Sequence, residues 1–106
     1  MMILHFSTSK EEKILCNERL LNRHYNKVHA IRIKSRLTEL QGANNLSEIP
    51  QIPPPRRHKL KGDFNDCWGI DYSPNFRIII EPYGIYDIDD LTTITEVKIL
   101  TLEDYH

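Results

Sequence analysis

The sequence predicts an α+β fold in which a short N-terminal strand and two helices precede an antiparallel sheet of three or four strands. Apolar residues recur at helical spacing in the first 41 residues, whereas residues 67–105 contain alternating segments rich in β-branched side chains. With 106 residues, 40% of them hydrophobic and 27% charged, the chain has the length and composition of one domain, 1–106.

The N-terminal half is expected to form the first strand and both helices. The apolar segment at residues 2–6 predicts the strand, and Ser9 and Glu12 have the spacing of a capping box at a helix start. We expect this first helix over about residues 10–22 and a second over about 25–41. The residues with apolar helical spacing in the second helix are Ala30, Ile33, Leu37 and Leu40.

A proline-rich connector over residues 43–55 joins the two halves. Four prolines lie between positions 50 and 55, which excludes a helix or a central strand and favours a stiff extended arm. The arm would serve either as a tether that delivers the following segment to the sheet or as a proline-rich recognition ligand. Beyond it, the pattern predicts strands at 67–72, 75–81 and 95–105, a turn at 73–75 and an acidic loop at 87–93.

Basic and acidic residues are unevenly distributed, although the formal net charge is only −1. Residues 1–62 contain 12 Lys or Arg and 5 Asp or Glu, whereas residues 63–106 contain 2 and 10. This asymmetry indicates either a basic face for an anionic partner or two halves that neutralise each other. A run of basic residues on the predicted helices forms either a solvated face or a contact surface: Arg19, Arg23, Lys27, Arg32, Lys34 and Arg36.

The remaining composition favours a chain without metal, cofactor or membrane partner. Cys16 and Cys67 are isolated, and we expect two buried free thiols rather than a disulfide. His24 and His29 lie five positions apart and miss the spacing of a helical metal site. No apolar run approaches the roughly 18 residues that span a bilayer. The first six residues are too short for a signal peptide, so we expect a cytoplasmic protein.

Four short motifs follow one another in the C-terminal half. They are Arg57-His58-Lys59-Leu60-Lys61-Gly62-Asp63, Trp68-Gly69-Ile70, Asn75-Phe76-Arg77-Ile78 and Glu103-Asp104-Tyr105-His106. In this order and spacing they resemble the RelE/HigB-like toxins of the RelE/ParE superfamily, the toxic components of bacterial type II toxin–antitoxin modules. The match spans roughly residues 46–106, and the helical half fits in pattern alone.

Two features depart from the usual pattern of these toxins. Phe76 stands where a tryptophan is usual. Residues 82–93 form a longer and more acidic hairpin connection than compact members have, which is typical of an extended-hairpin subgroup.

The resemblance implies a small endoribonuclease that cuts messenger RNA, typically on the ribosome. A cognate helix-turn-helix antitoxin would hold it inactive, and the chain would contact operator DNA only through that complex. Segment 87–90 and the basic helices are alternative docking surfaces for the antitoxin. Matched residue by residue, the resemblance assigns the active site to His58, Lys61, Arg77, Asp104, Tyr105 and His106.

These residue types suit metal-independent cleavage of RNA, in which the ribose 2′-hydroxyl attacks the adjacent phosphate. His58 and His106 would transfer protons near neutral pH, and each fits either the acid or the base role. Arg77 and Lys61 would stabilise charge on the phosphate. The RNA backbone would be held by Arg56, Arg57 and Lys59.

Period-two alternation along the last strand predicts how the terminal residues are oriented. Asp104 and His106 share one face of the strand, so Asp104 is expected to orient His106 or raise its protonated fraction. Tyr105 would point to the opposite face. Alternatively, Tyr105 rather than a histidine takes part directly in the reaction.

Each assignment also has an ordinary structural interpretation. Arg77 would pair with Glu81 on the same strand face, and Lys61 with Asp63. The aromatic side chains of Trp68, Tyr72 and Phe76 would be core residues rather than platforms on which bases stack. Two other functions remain: a non-catalytic ParE-like toxin that binds DNA gyrase, and a degenerate member kept as a regulatory partner protein.

Overall fold

Three helices pack on one face of a five-stranded sheet in the computed structural model, which describes residues 1–104. The helices are α1 Ser9–Cys16, α2 Glu18–His24 and α3 Lys27–Gly42. The strands are β1 Ile3–Phe6, β2 His58–Lys59, β3 Trp68–Ser73, β4 Phe76–Pro82 and β5 Glu96–Asp104. The predicted α+β class is confirmed.

The sheet has the order β1-β5-β4-β3-β2. Strands β2 to β5 pair antiparallel, as predicted, whereas β1 pairs parallel to β5 at the edge of the sheet. The sheet is therefore mixed. None of the helices within residues 1–104 combines the length and the apolarity that a membrane crossing requires.

The helical half differs from the prediction by one break. Asn17 has an extended backbone, and its side chain accepts a hydrogen bond from the Leu20 amide at 3.1 Å. Since this is the geometry of an N-cap, Asn17 ends α1 and begins α2 where one helix was expected. Thr8 caps α1 in place of Ser9, and its hydroxyl accepts from the Glu11 amide at 3.0 Å.

The main core lies between the helices and the sheet face that they cover, here called the inner face. Trp68, Ile70 and Tyr72 of β3 point to this face, which confirms their predicted alternation along the strand. Burial of such side chains contributes about 1.5–3 kcal/mol each. The opposite, outer face carries a small apolar cluster of Leu60, Cys67 and Ile79.

A bulge in β5 decides which acidic residues reach which face. Ile79 pairs with Thr101 and Ile80 with Ile99, so Leu100 is the extra residue. Beyond the bulge, Arg77 pairs with Glu103 and Phe76 with Asp104. Residues directly opposite on antiparallel strands share a face, so Glu103 lies on the outer face and Asp104 on the inner one.

The proline-rich connector is folded rather than extended, which corrects the predicted stiff arm. Residues Leu46–Glu48 form a single 3₁₀ turn, and Leu46 and Ile49 are buried. The carbonyl of Pro55 accepts a hydrogen bond from the Asp71 amide at 2.8 Å, which attaches the connector to β3. The chain then enters β2, so the connector does deliver His58 to the sheet.

The connection between β4 and β5 spans residues 83–95 and is held by its own polar groups. The Asp87 amide donates to the Thr93 hydroxyl at 2.9 Å, and the Asp90 carboxylate accepts from the Thr92 amide at 3.1 Å. Ile85 is fully exposed within this hairpin.

Both cysteines are free, as predicted, but their burial differs. Cys67 is buried, whereas Cys16 is exposed, which corrects the expectation of two buried thiols. Burial, with smaller contributions from Glu81 and Asp66, raises the pKa of the Cys67 thiol.

Candidate functional site

The outer face of the sheet brings His58 and Arg77 together above Gly69. His58 pairs with Gly69 across β2 and β3. A β-carbon added at Gly69 would lie 2.8 Å from His58 Nε2 and 3.2 Å from Arg77 Cδ. The glycine therefore leaves the space that the imidazole and the arginine stem occupy, and any larger residue would displace them.

The imidazole of His58 is held in one tautomer. Its Nδ1 lies 2.7 Å from the carbonyl oxygen of Arg56. Because a carbonyl oxygen only accepts, Nδ1 carries the proton and donates. In the neutral ring, Nε2 is then the basic nitrogen, and it is the atom that faces the space above Gly69. The orientation suits proton transfer at Nε2.

Arg77 forms an ion pair with Glu103 across β4 and β5. Arg77 Nε donates to Glu103 Oε1 at 2.8 Å, and Nη2 donates to the same oxygen. This partner differs from the predicted Glu81, which instead lies 4.0 Å from the Lys98 ammonium. The pair fixes the guanidinium on the outer face and reduces the positive charge there.

A second ion pair supports the loop that holds His58. Arg56 Nε lies 2.6 Å from Asp71 Oδ2, and Asp71 is only 7% exposed. Arg56 also has a left-handed backbone with φ of 41°, which is uncommon for a residue with a side chain. Since the Arg56 carbonyl accepts from His58, the Arg56–Asp71 pair helps to position the imidazole.

The other predicted backbone-binding residues do not gather at this site. Arg57 is 8% exposed, and its Nε donates to the Ile49 carbonyl at 2.8 Å, while burial lowers its pKa. Arg57 Nε is thus bonded to the connector, and the residue leaves little surface for a partner. Lys59 follows His58 in β2 and so points to the opposite face, with its ammonium 3.8 Å from the Asp66 carboxylate. Lys61 is exposed in the loop after β2.

The structure does not bring Asp104 to His58 and Arg77. Asp104 shares the inner face with Phe76, and its charge adds to burial and to Tyr25 in raising the pKa of Tyr72 to about 12. Glu103 is the carboxylate on the outer face, because the bulge at Leu100 reverses the alternation. Tyr105 and His106 lie outside the described residues.

Three residues of this arrangement were not identified from the sequence. Gly69 interrupts an alternating strand, a pattern that often indicates close approach of another group. Asp71 and Glu103 carry no such signal, because their partners depend on the register between strands. Together with His58 and Arg77 they form a site in which an imidazole, a group that can donate or accept a proton, lies beside an arginine side chain.

Comparisons with known proteins agree with this architecture. No family model and no curated protein matches the sequence. A YoeB/ParE toxin from Agrobacterium tumefaciens has a similar fold, with a TM-score of 0.60 and 12% identity, over 99% of this chain and 100% of that one. A YoeB–YefM complex from Staphylococcus aureus is similar with a TM-score of 0.55 and 14% identity, over 100% of this chain and 98% of that one.

A copper-bound mutant toxin from Helicobacter pylori is also similar in fold, with a TM-score of 0.53 and 18% identity, over 98% of this chain and 94% of that one. At these identities the similarity lies in the fold. The fold predicted for this chain is therefore confirmed as one that these solved toxins share.

Proposed function

We propose that this chain is the toxin of a type II toxin–antitoxin module and acts as a metal-independent endoribonuclease on messenger RNA, in a ribosome-dependent manner. The observation that carries the proposal is the His58 imidazole, whose Nε2 lies above Gly69 beside the stem of Arg77. Its Nδ1 is bonded to a backbone carbonyl, so the ring is oriented before any substrate binds.

The proposed reaction uses the RNA itself as the nucleophile. A base removes the proton of the 2′-hydroxyl, and the 2′-oxygen attacks the adjacent phosphorus. The P–O2′ bond forms while the P–O5′ bond breaks, and an acid protonates the departing 5′-oxygen. The products are a 2′,3′-cyclic phosphate and a 5′-hydroxyl, so atoms balance without a co-reactant.

The residues take distinct roles in this reaction. His58 carries out one proton transfer through Nε2, and His106 carries out the other, with Tyr105 beside it in the sequence. Arg77 stabilises the charge on the phosphate, and Lys61 adds a cation from the loop after β2. Proton transfer by one positioned residue accounts for about 10²–10⁴-fold in rate.

Asp104, which the resemblance assigns to the site, lies on the inner face beside Phe76. We propose that it acts by orienting His106 rather than by contact with the phosphate. Glu103 takes the position nearest to Arg77 instead.

The proposed partner is a cognate helix-turn-helix antitoxin, and operator DNA would be contacted only through that complex. The solved YoeB–YefM toxin–antitoxin complexes support an antitoxin partner as such. Expression of the chain together with its neighbouring gene should yield a tight complex on size-exclusion chromatography. Failure of the two proteins to associate would contradict the antitoxin proposal.

Primer extension on total mRNA tests the nuclease proposal after brief induction of the wild-type chain. Discrete cuts are expected, and they should disappear in H58A and H106A. Thermal unfolding of both variants controls for loss of fold. Intact transcripts in cells whose growth has stopped would contradict nuclease activity.

A second candidate function is binding without catalysis, as in a ParE-like toxin that inhibits DNA gyrase. It is favoured by the ion pair between Arg77 and Glu103, which directs the guanidinium to a carboxylate rather than to a phosphate. Growth arrest by H58A equal to that of the wild type, with transcripts intact, would support this function. A harmless wild-type chain would instead support a regulatory partner protein.

A further inference from the structure

The hairpin that joins β4 to β5 presents apolar side chains to solvent, although it is firmly folded. Ile88 and Leu91 pack against the main core, and the Tyr83 amide donates to the Glu96 carbonyl at 2.9 Å. Ile85 is nevertheless fully exposed. A hydrophobic side chain held in water by a folded loop is suited to burial against a partner. The exposed apolar and acidic residues here form the hairpin patch: Tyr83, Ile85, Tyr86, Asp87, Asp89 and Asp90.

The solvent side of α3 combines aliphatic side chains with basic ones. Val28 and Ile31 are 55% and 57% exposed, and their spacing places them side by side on the helix. Ile31 also lines a groove of about 520 Å³ between α2 and α3. Lys27 and Arg32 flank this pair on α3, and Arg23 lies in the last turn of α2. These five residues are here called the helix patch, and all of them are exposed.

The two patches carry opposite charges that are not neutralised within the chain. Among the residues that the structure describes, no ion pair involves a basic residue of the helix patch or an acidic residue of the hairpin patch. The carboxylates of the helices are already paired, Glu18 with Lys34 at 3.3 Å and Glu39 with Arg36 at 2.7 Å. The helix patch is therefore positive and the hairpin patch negative, which favours their attraction.

The two patches lie towards opposite ends of α3, so one chain does not bring them together. The Met2 amide donates to the Gln41 carbonyl at 3.2 Å, and the next amide donates to the carbonyl of Thr95, the last hairpin residue, at 3.1 Å. The base of the hairpin therefore adjoins the C-terminal end of α3. Lys27 begins that helix, about 21 Å away along its axis. The full exposure of Ile85 shows that the hairpin does not fold back onto the helix. Contact between the patches requires a second molecule.

We propose that the helix patch is the docking site for the hairpin patch of a second copy of this chain, so that copies associate head to tail. Ile85 of one copy packs against Val28 and Ile31 of the other, and the aspartates pair with the surrounding cations. A nucleic acid would neutralise these cations but leave the two aliphatic side chains in water, whereas the hairpin supplies both carboxylates and an apolar side chain. The inference is independent of the proposed function, because neither patch contains a residue of the candidate active site.

Sedimentation velocity of the full-length chain tests whether copies associate. The H58A variant is used, because it removes the proposed toxicity and lies in neither patch. Two small patches bury less surface than a stable dimer does, so we expect a dissociation constant above about 1 µM. The sedimentation coefficient should rise with concentration between about 5 and about 500 µM. A coefficient that stays at the monomer value over this range would overturn the proposal.

Matched isoleucine variants separate docking of the hairpin from general hydrophobic attraction. I85S in the H58A chain should weaken association at least about tenfold, because it removes the apolar centre of the hairpin patch. Ile52 is 72% exposed in the connector and belongs to neither patch. I52S should therefore change association less than about twofold. Equal weakening by I85S and I52S would overturn the proposed contact.

Complementation between charge variants tests the head-to-tail arrangement itself. D89N/D90N removes two charges from the hairpin patch, and R23Q/K27Q removes two from the helix patch. Each variant alone should associate about tenfold more weakly than the H58A parent. An equimolar mixture should form 1:1 dimers with the parental affinity, since the first variant keeps the helix patch and the second keeps the hairpin patch. Such recovery also shows that both variants are folded. A mixture that associates no better than either variant alone would overturn the proposal.

Discussion

Substitution of Gly69 by alanine perturbs the candidate site with a single added carbon. The new β-carbon would lie 2.8 Å from His58 Nε2 and 2.9 Å from Cε1, whereas ordinary contact begins at 3.4 Å. The imidazole must therefore retreat by about 0.6 Å, and Arg77 Cδ, at 3.2 Å, must shift slightly. Misplacement of a catalytic group by about 1 Å lowers rates by roughly 10²-fold. For a retreat of about 0.6 Å, we expect G69A to reduce cleavage by roughly tenfold.

The fold should tolerate this substitution, because the crowded atoms belong to side-chain ends. Replacement of a strand glycine by alanine gains about 0.5–1 kcal/mol through the backbone, which offsets part of the displacement. The midpoint of thermal unfolding should change by less than about 5 °C. Cleavage of a reporter mRNA in a purified translation system and thermal unfolding by circular dichroism measure the two quantities.

The matched control is G42A, since a β-carbon at Gly42 meets no atom within 4 Å. This variant should cleave at the wild-type rate. If G69A also cleaves at the wild-type rate, the position of the His58 ring does not govern the chemistry. The assignment of His58 as a proton-transfer residue would then be wrong.

Three further predictions concern charge and burial. E103Q should lower the KM for RNA about fivefold, because it removes about 1 kcal/mol of attraction between the Arg77 guanidinium and a carboxylate that competes with the phosphate. The kcat should stay within tenfold of the wild-type value. Steady-state kinetics measure both constants, and a raised KM would contradict the prediction. The pKa of Tyr72 is raised from 10.0 to about 12, so its contribution to stability is present below pH 10 and is lost as the pH rises towards 12. Urea unfolding measures the free energy of unfolding of wild type and Y72F between pH 10 and 12. Over this interval the wild type should lose up to about 3 kcal/mol more than Y72F. The same pH dependence in both proteins would refute the burial of Tyr72. Ellman's reagent should modify Cys16 in the native chain and Cys67 only after denaturation, and two reactive thiols in the native state would contradict the placement of Cys67.

The fold class could be predicted because its signals are local. Trp68, Ile70 and Tyr72 face the core as their alternation indicates. The break at Asn17 was missed, because the apolar spacing continues across it while a polar side chain satisfies the amides of a new helix. Turns, helix caps and strand alternation depend on a few neighbouring residues, so they can be predicted from the sequence.

The site was only partly predictable, because its pairings depend on register. His58 and Arg77 were identified from motifs, and the structure places both on the outer face. The bulge at Leu100 exchanges the faces of Glu103 and Asp104, which alternation along a regular strand cannot show. The burial of Arg57 follows from the folded connector and is equally invisible in the sequence.

The chemistry of the RNA ends tests the central claim most directly. The purified chain is incubated with programmed ribosomes and an mRNA that carries either a ribose or a 2′-deoxyribose at the cleavage position. The account predicts cuts that end in a 2′,3′-cyclic phosphate and a 5′-hydroxyl, and no cut at the 2′-deoxyribose. Equal cleavage of both messages, or ends that carry a 5′-phosphate, would contradict attack by the 2′-hydroxyl and with it the proposed roles of His58 and Arg77.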